Sequence, residues 1–228
     1  MQPHEFWQGF VARADPPPYQ DRYPAALPDG RILELPIRAL PGGSGGIASL
    51  ILTQASFEVE AALAEILAVR LAGDAPDIVI GMPTLGLALA RAVAARLGHR
   101  RYVALGTSRK FWYETVLSVP LSSITSPDTT KRLYLDPRML PLLTGRVALI
   151  DDVISTGRSI CAGLDLLAKA GVKPVALGAA MLQTRRWRDA LPSHGITRAP
   201  HHVLSTPRLR QRADGWHPDE TGIEAPDT

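Results

Sequence analysis

Cysteine is nearly absent from this chain: one residue, Cys161, in 228. That count excludes an internal disulfide framework and fits a reducing compartment, so a cytoplasmic location is expected. Long apolar runs are missing too. No stretch suffices to span a bilayer, and the opening Met1-Gln2-Pro3-His4-Glu5-Phe6-Trp7 lacks the basic-then-apolar order of a secretory signal, so no membrane partner is expected. Excess charge of one sign is also lacking: 25 Lys+Arg against 22 Asp+Glu leave a formal +3, and nucleic acid is not an expected partner. Arginines do gather late, at Arg185, Arg186, Arg188, Arg198, Arg208, Arg210 and Arg212. A solvated surface or an anionic small ligand explains them as well as DNA would. The six histidines show no metal-ligand spacing.

The remaining composition, 46% hydrophobic and 21% charged, is that of a globular domain able to bury a core. Residues up to Pro28 are proline-rich (Pro16-Pro17-Pro18) and predicted irregular. A hairpin is predicted from 23–27 and 31–35 around Pro28-Asp29-Gly30, and Gly42-Gly43-Ser44-Gly45-Gly46 reads as a flexible break. Apolar residues at helical spacing predict a helix over 57–71, stopped by Gly73. Buried strands are then predicted at 77–82, 102–105, 147–151 and 175–181. Helices are predicted after the loop Pro83-Thr84-Leu85-Gly86 and over 158–170. Strands alternating with single helices imply an α/β fold with a doubly wound, mainly parallel sheet. The expected division is an N-terminal hairpin or hood segment with its helix (1–72), a core (73–190) containing a lid at 107–137, and a partly mobile C-terminal extension (191–228).

The most informative stretch is Val147-Ala148-Leu149-Ile150-Asp151-Asp152-Val153-Ile154-Ser155-Thr156-Gly157-Arg158-Ser159. An apolar strand ends in two carboxylates, then a hydroxyl- and glycine-rich loop opens a helix. Parallel α/β sheets bind ligands at that end of a strand, and free N–H groups at a helix start suit a phosphate. Acids beside an anion cradle fit a sugar phosphate, the carboxylates accepting from ribose hydroxyls and the N–H groups donating to phosphate. The plain alternative is a strand–turn–helix whose aspartates cap the helix or face solvent.

This stretch resembles the binding motif for PRPP (5-phosphoribosyl 1-diphosphate) of type I phosphoribosyltransferases at every position from 147 to 159. The resemblance implies that core fold, with a hood built from the N-terminal segment, the C-terminal segment or both. It implies Asp151 and Asp152 on the ribose hydroxyls, and Ser155, Thr156, Gly157, Arg158 and Ser159 around the 5′-phosphate. Thr84, Leu85 and Gly86 fall where the family's diphosphate loop lies, a loop that in relatives contains a non-proline cis peptide. The basic residue many relatives carry there is missing, so Arg109 and Lys110, which match a basic pair of adenine-type members, are expected to supply the charge. Mg²⁺ is the implied cofactor, reached through PRPP and water near Asp151 and Asp152 rather than through a protein cage.

The run Lys110-Phe111-Trp112-Tyr113-Glu114-Thr115-Val116 is similar to the adenine-type loop, which makes Glu114 a candidate for proton handling or lid anchoring. Its spacing is shorter, which leaves the base open. Ser155 stands where relatives acting on hypoxanthine or guanine have an Asp, and a serine is no base near neutral pH. Residues 111–136 show no continuous core pattern and many hydroxyls, as a closing lid would. Trp187 either stacks on a base or packs a short helix against the sheet edge. The implied activity is transfer of the phosphoribosyl group to a nitrogenous, purine-like base with release of diphosphate, by an enzyme that in this family is often a homodimer. The alternatives are a PRPP-sensing regulator without catalysis and a module for some other phosphosugar.

Overall fold

Apolar runs and amphipathic runs take turns through the middle of the chain. The computed structural model, which describes residues 7–41, 45–121 and 131–219, forms them into strands and helices in that order. The elements are β1 (Gly9–Val11), β2 (Arg22–Ala26), β3 (Ile32–Ala39), β4 (Gly45–Ala48), α1 (Phe57–Ala72), β5 (Ile78–Gly81), α2 (Gly86–Arg96), β6 (Val103–Ala104), β7 (Ser118–Pro120), β8 (Arg132–Tyr134), β9 (Val147–Ile154), α3 (Arg158–Lys169), β10 (Ala176–Gln183), α4 (Trp187–Ala190), β11 (His201–Thr206), β12 (Arg208–Arg212) and β13 (Gly215–Pro218). Local chemistry explains their ends. The Ser56 side chain accepts the Val59 N–H at 3.2 Å to start α1. Gly171, at φ +70°, follows α3 in the left-handed conformation that only glycine adopts without cost.

Five strands make a parallel sheet in the order β11-β10-β9-β5-β6. From β5 the chain steps outward to β6, then returns to the other side of β5 as β9. The strand order therefore reverses between β5 and β9, the place where an open parallel sheet forms a crevice beyond its carboxyl ends. Helices α1 and α2 pack on one face with Ala148 and Ile150, and α3 packs on the other with Val147 and Leu149. Period-two alternation along β9 sends those pairs to opposite faces. The alternation then slips: Val153 joins the side of Ile150, three residues on, and Ile154 joins the side of Leu149. The slip falls at Asp151-Asp152, and it is matched in β10, where Ala180 and Met181 both face α1 and α2.

A second sheet carries the order β1-β3-β4-β12-β13, with β2 also paired to β3. Both chain ends build it, so the hood is assembled from the two segments together. The predicted hairpin is its β2–β3 unit, turned through Gly30 at φ +87°. Ile37, Leu209 and Trp216 form a small core of its own.

Four expectations change. The core does not stop at residue 190, because β11 adds a parallel strand beside β10; its polar opening His201-His202 hid it. Helix α1 packs against that core rather than within the hood. The segment after Arg212 is not mobile as far as Asp219, since β13 pairs with β12 and buries Trp216; residues 220–228 lie outside the described residues. Of the expected glycine break, Gly45 and Gly46 are strand, while residues 42–44 lie outside the described residues. A Cβ on Gly46 would come within 2.6 Å of the Trp216 ring, so the small residue makes room for an aromatic.

The lid stretch divides similarly. Strands β7 and β8 form an antiparallel pair, while the hydroxyl-rich residues 122–130 lie outside the described residues. The base of the hairpin does have a core pattern: Leu117, Val119, Leu133 and Leu135 are buried in the cluster that α3 covers.

Candidate active site

Asp151 and Asp152 lie in the second half of β9, followed by Val153 and Ile154, and are almost fully buried, at 7% exposure each. The backbone N–H of Asp152 donates to Asp151 Oδ1 at 2.9 Å. Among the described residues no ion pair or cationic partner is recorded for either carboxylate. Burial, followed by the charge of Asp152, holds the Asp151 carboxyl well above the ordinary carboxylate range, and burial raises Asp152 as well. Two buried, uncompensated acids side by side form a site made to receive hydrogen-bond donors or positive charge. They are not a helix cap, and they do not face solvent.

The loop that follows β5 lies directly beside them. Gly81 pairs with Ile150, and the Met82 N–H donates to the Ile150 carbonyl at 2.8 Å. The Pro83–Thr84 peptide is cis, in the loop where the resemblance places such a bond. Thr84 is exposed, Leu85 half-buried, and Gly86 buried at the first position of α2. A Cβ on Gly86 would come 2.7 Å from Asp151 Oδ1, 2.9 Å from Asp151 Cα and 3.1 Å from Asp152 N. The helix start is thus pressed onto the backbone of the acids. No side chain caps α2, so its first N–H groups and positive dipole end are left for a ligand.

The third component is the turn 155–157. Gly157 has φ +81° and serves as the N-cap of α3, again with no side-chain cap. Its missing side chain leaves room for α4: a Cβ there would come 3.0 Å from Ala190 Cβ and 3.4 Å from Trp187 Cα. Ser155, Thr156 and Ser159 are half-buried and Arg158 is exposed. Thus Thr84 to Gly86, Asp151, Asp152 and residues 155–159 gather around one strand junction.

Arg109, Lys110 and Glu114 are set differently. All three are exposed on the segment that leaves the carboxyl end of β6, and among the described residues no hydrogen bond or ion pair joins them to the aspartates. Arg109 Nη2 donates to Thr115 Oγ1 at 3.4 Å. Behind them the aromatic run anchors the lid base. Trp112 Nε1 donates to Asp136 Oδ2 at 3.2 Å, the Arg138 guanidinium lies 4.3 Å from the Trp112 ring centroid, and Arg138 grips Asp136 at 2.6 Å. That grip holds the Asp136 carboxyl down to about 2.

Sequence reading assigned no role to two residues where β10 ends. Gln183 is buried and donates from Nε2 to the Ala48 carbonyl at 2.6 Å, tying the core sheet to the hood; a polar side chain ending an otherwise apolar strand was the available signal. Thr184 sits at φ +57°, and its buried hydroxyl has no partner among the described residues. A threonine carries no sequence cue for that conformation. Trp187 is 6% exposed and packs rather than stacks on a ligand.

Comparison with known proteins bears on the family and the fold. The model of the phosphoribosyl transferase domain matches residues 50–200. No curated protein matches the chain. Among solved structures, adenine phosphoribosyltransferase from Thermoanaerobacter pseudethanolicus aligns with TM-score 0.56 at 17% identity, covering 75% of this chain and 95% of that one. The enzyme from Rhodothermus marinus aligns with TM-score 0.53 at 22% identity, over 74% and 93%. The enzyme from Trypanosoma brucei, in complex with AMP, pyrophosphate and ribose-5-phosphate, aligns with TM-score 0.53 at 19% identity, over 65% of this chain and 64% of that chain. At these identities the likeness is one of fold.

Proposed function

We propose, from the premise that this chain belongs to the phosphoribosyl transferase family, that it transfers the 5-phosphoribosyl group of PRPP to a purine-like base and releases diphosphate. The observation that carries this is the junction of β5 and β9, where two buried acids without a cationic partner lie beside two uncapped helix starts. The adenine enzymes with the same fold support a purine-like acceptor.

Asp151 and Asp152 accept from the ribose 2- and 3-hydroxyls, which replaces the hydrogen bonding that burial denies them. The turn 155–157 and the first N–H groups of α3 hold the 5′-phosphate. The loop 83–86 and the start of α2 hold the diphosphate, with Arg109 and Lys110 brought over it by the lid hairpin. With the pentose fixed at both ends, C1 is presented in line between base and leaving group. Positioning and charge stabilisation then supply the rate, without a protein nucleophile. As the C1–O bond to diphosphate breaks, positive charge develops on the ribosyl ring and a base nitrogen forms the new C1–N bond; Glu114 is the candidate to take the proton that the base releases. Closure of the lid over the bound substrates excludes water, which would otherwise hydrolyse PRPP.

Mg²⁺ fits this donor set. The neighbouring carboxylates of Asp151 and Asp152 are hard oxygen donors, the kind such an ion takes alongside waters and substrate phosphates. When bound, it neutralises diphosphate charge as that group leaves. Asp151 and Asp152 would face it. No helix among the described residues is long and apolar enough to cross a membrane. A cytoplasmic homodimer is part of the same proposal.

Diphosphate release from PRPP and Mg²⁺ across a panel of purine and pyrimidine bases tests the reaction. Release that depends on a purine-type base is expected. PRPP binding with no release on any base would instead support the non-catalytic sensor.

A further inference from the structure

We propose that Trp187 is a positioning residue for the 5′-phosphate, holding the loop 155–159 in its binding shape from behind. This rests on the assignment of that loop to the phosphate.

A turn containing one left-handed glycine and an uncapped helix start does not fix its own N–H directions. Those directions must hold to about 0.5 Å for a preorganised anion site. The rear side of the loop is occupied by α4. The backbone of Trp187 lies against Gly157, with an ideal Cβ on that glycine reaching 3.4 Å from Trp187 Cα and 3.6 Å from its Cβ. The indole is buried among residues of the cluster that α3 covers. Its Nε1 donates to the Thr184 carbonyl at 3.1 Å.

Thr184 is in turn held by its N–H, which donates to Thr206 O at 2.9 Å on the neighbouring strand. A β-branched residue at φ +57° persists only where surrounding contacts over-determine it. The end of α4 and the chain just after it are held twice to α3. Cys161 Sγ approaches the Ala190 carbonyl at 3.8 Å, and His194 Nε2 lies 3.1 Å from Asp165 Oδ1. Trp187 therefore joins three parts: its indole ties the sheet end at Thr184 to the core under α3, and that anchors the Cα and Cβ that lie against the turn at Gly157.

Calorimetric titration of ribose 5-phosphate and of diphosphate, each with Mg²⁺, separates positioning from general damage in wild type, Trp187→Phe and Trp187→Leu. Trp187→Phe loses the N–H bond to Thr184 and part of the ring packing, and ribose 5-phosphate should weaken about fivefold. Trp187→Leu keeps the Cα and Cβ beside Gly157 but loses more of the packing that fixes α4 under α3, and should weaken ribose 5-phosphate about tenfold or more. Diphosphate affinity should stay within about twofold, and the KM for PRPP should rise while kcat at saturation holds. Unchanged ribose 5-phosphate affinity in Trp187→Phe overturns the proposal even if the leucine variant fails to fold. Equal weakening of both ligands overturns it too, because that marks loosening of the whole domain. A wild-type protein that binds neither ligand removes the site assignment itself, a different result from one that binds both and is indifferent to Trp187.

Discussion

Replacing Gly86 with alanine sets two effects of opposite sign against each other. Alanine is the better helix former, and at the first position of α2 it should gain about 0.5–1 kcal/mol over glycine. The new methyl group, however, would sit 2.7 Å from Asp151 Oδ1 and 2.9 Å from Asp151 Cα. Overpacking of this sort costs about 1–3 kcal/mol, and the upper half applies because one struck atom is strand backbone that cannot rotate away. The clash wins, with a net loss of about 1–2 kcal/mol and a fall in Tm of about 2–8 °C for a chain this size. PRPP binding should suffer more than stability does, since the strand and helix are forced apart at the proposed meeting point of ribose and diphosphate. Gly73→Ala is the control. Gly73 closes α1 at φ −63° with nothing within 4 Å of its would-be Cβ, so the change should leave Tm unchanged or raise it by an amount corresponding to about 0.4–1 kcal/mol. Differential scanning calorimetry and PRPP titration read both. A Gly86→Ala protein as stable as wild type, with full PRPP affinity, would refute the claim that α2 is pressed onto the acids.

Other consequences follow from the same contacts. Asp151 has a folded-state pKa above its unfolded one, so its contribution to stability is present below the unfolded value and lost as pH rises through the folded value. Asp151→Asn should therefore raise the Tm of the free protein at neutral pH, by more at pH 8 than at pH 5, while abolishing transfer; a lower Tm at both pH values would contradict the burial argument. Asp136 behaves oppositely. Its pKa is lowered to about 2, so its stabilisation is present above the unfolded carboxylate range and lost as pH falls toward 2. Asp136→Asn should cost about 1–2 kcal/mol near neutrality and less in acid, with a red shift of Trp112 emission reporting the loosened lid base. Glu114→Gln should leave Tm and PRPP affinity unaltered while lowering kcat, and an unaltered kcat would free Glu114 from proton handling.

The parallel core and the ligand edge were legible because their signals are local. An apolar run ending at Asp151-Asp152 needs no partner to be recognised, and Gly98, Gly157 and Gly171 mark left-handed positions by residue type alone. Features set by distant pairing were less legible. Strand β11 opens with two histidines, and only its pairing with β10 makes it core. Gly46 resembles a flexible linker until Trp216, far along the chain, is seen to need its space. The site divides along the same line. The acids and the turn 155–157 belong to one stretch of sequence, whereas the surroundings of Gln183, Thr184 and Trp187 are set by contacts with Ala48, Thr206 and Gly157.

The ribose assignment of the two aspartates is tested most directly by isothermal titration of PRPP with Mg²⁺ into wild type and Asp152→Asn. Loss of a charge-assisted hydrogen bond should weaken binding by about 1.5–3 kcal/mol, with the fold intact by circular dichroism. Equal PRPP affinity in the two proteins would contradict the account at its centre.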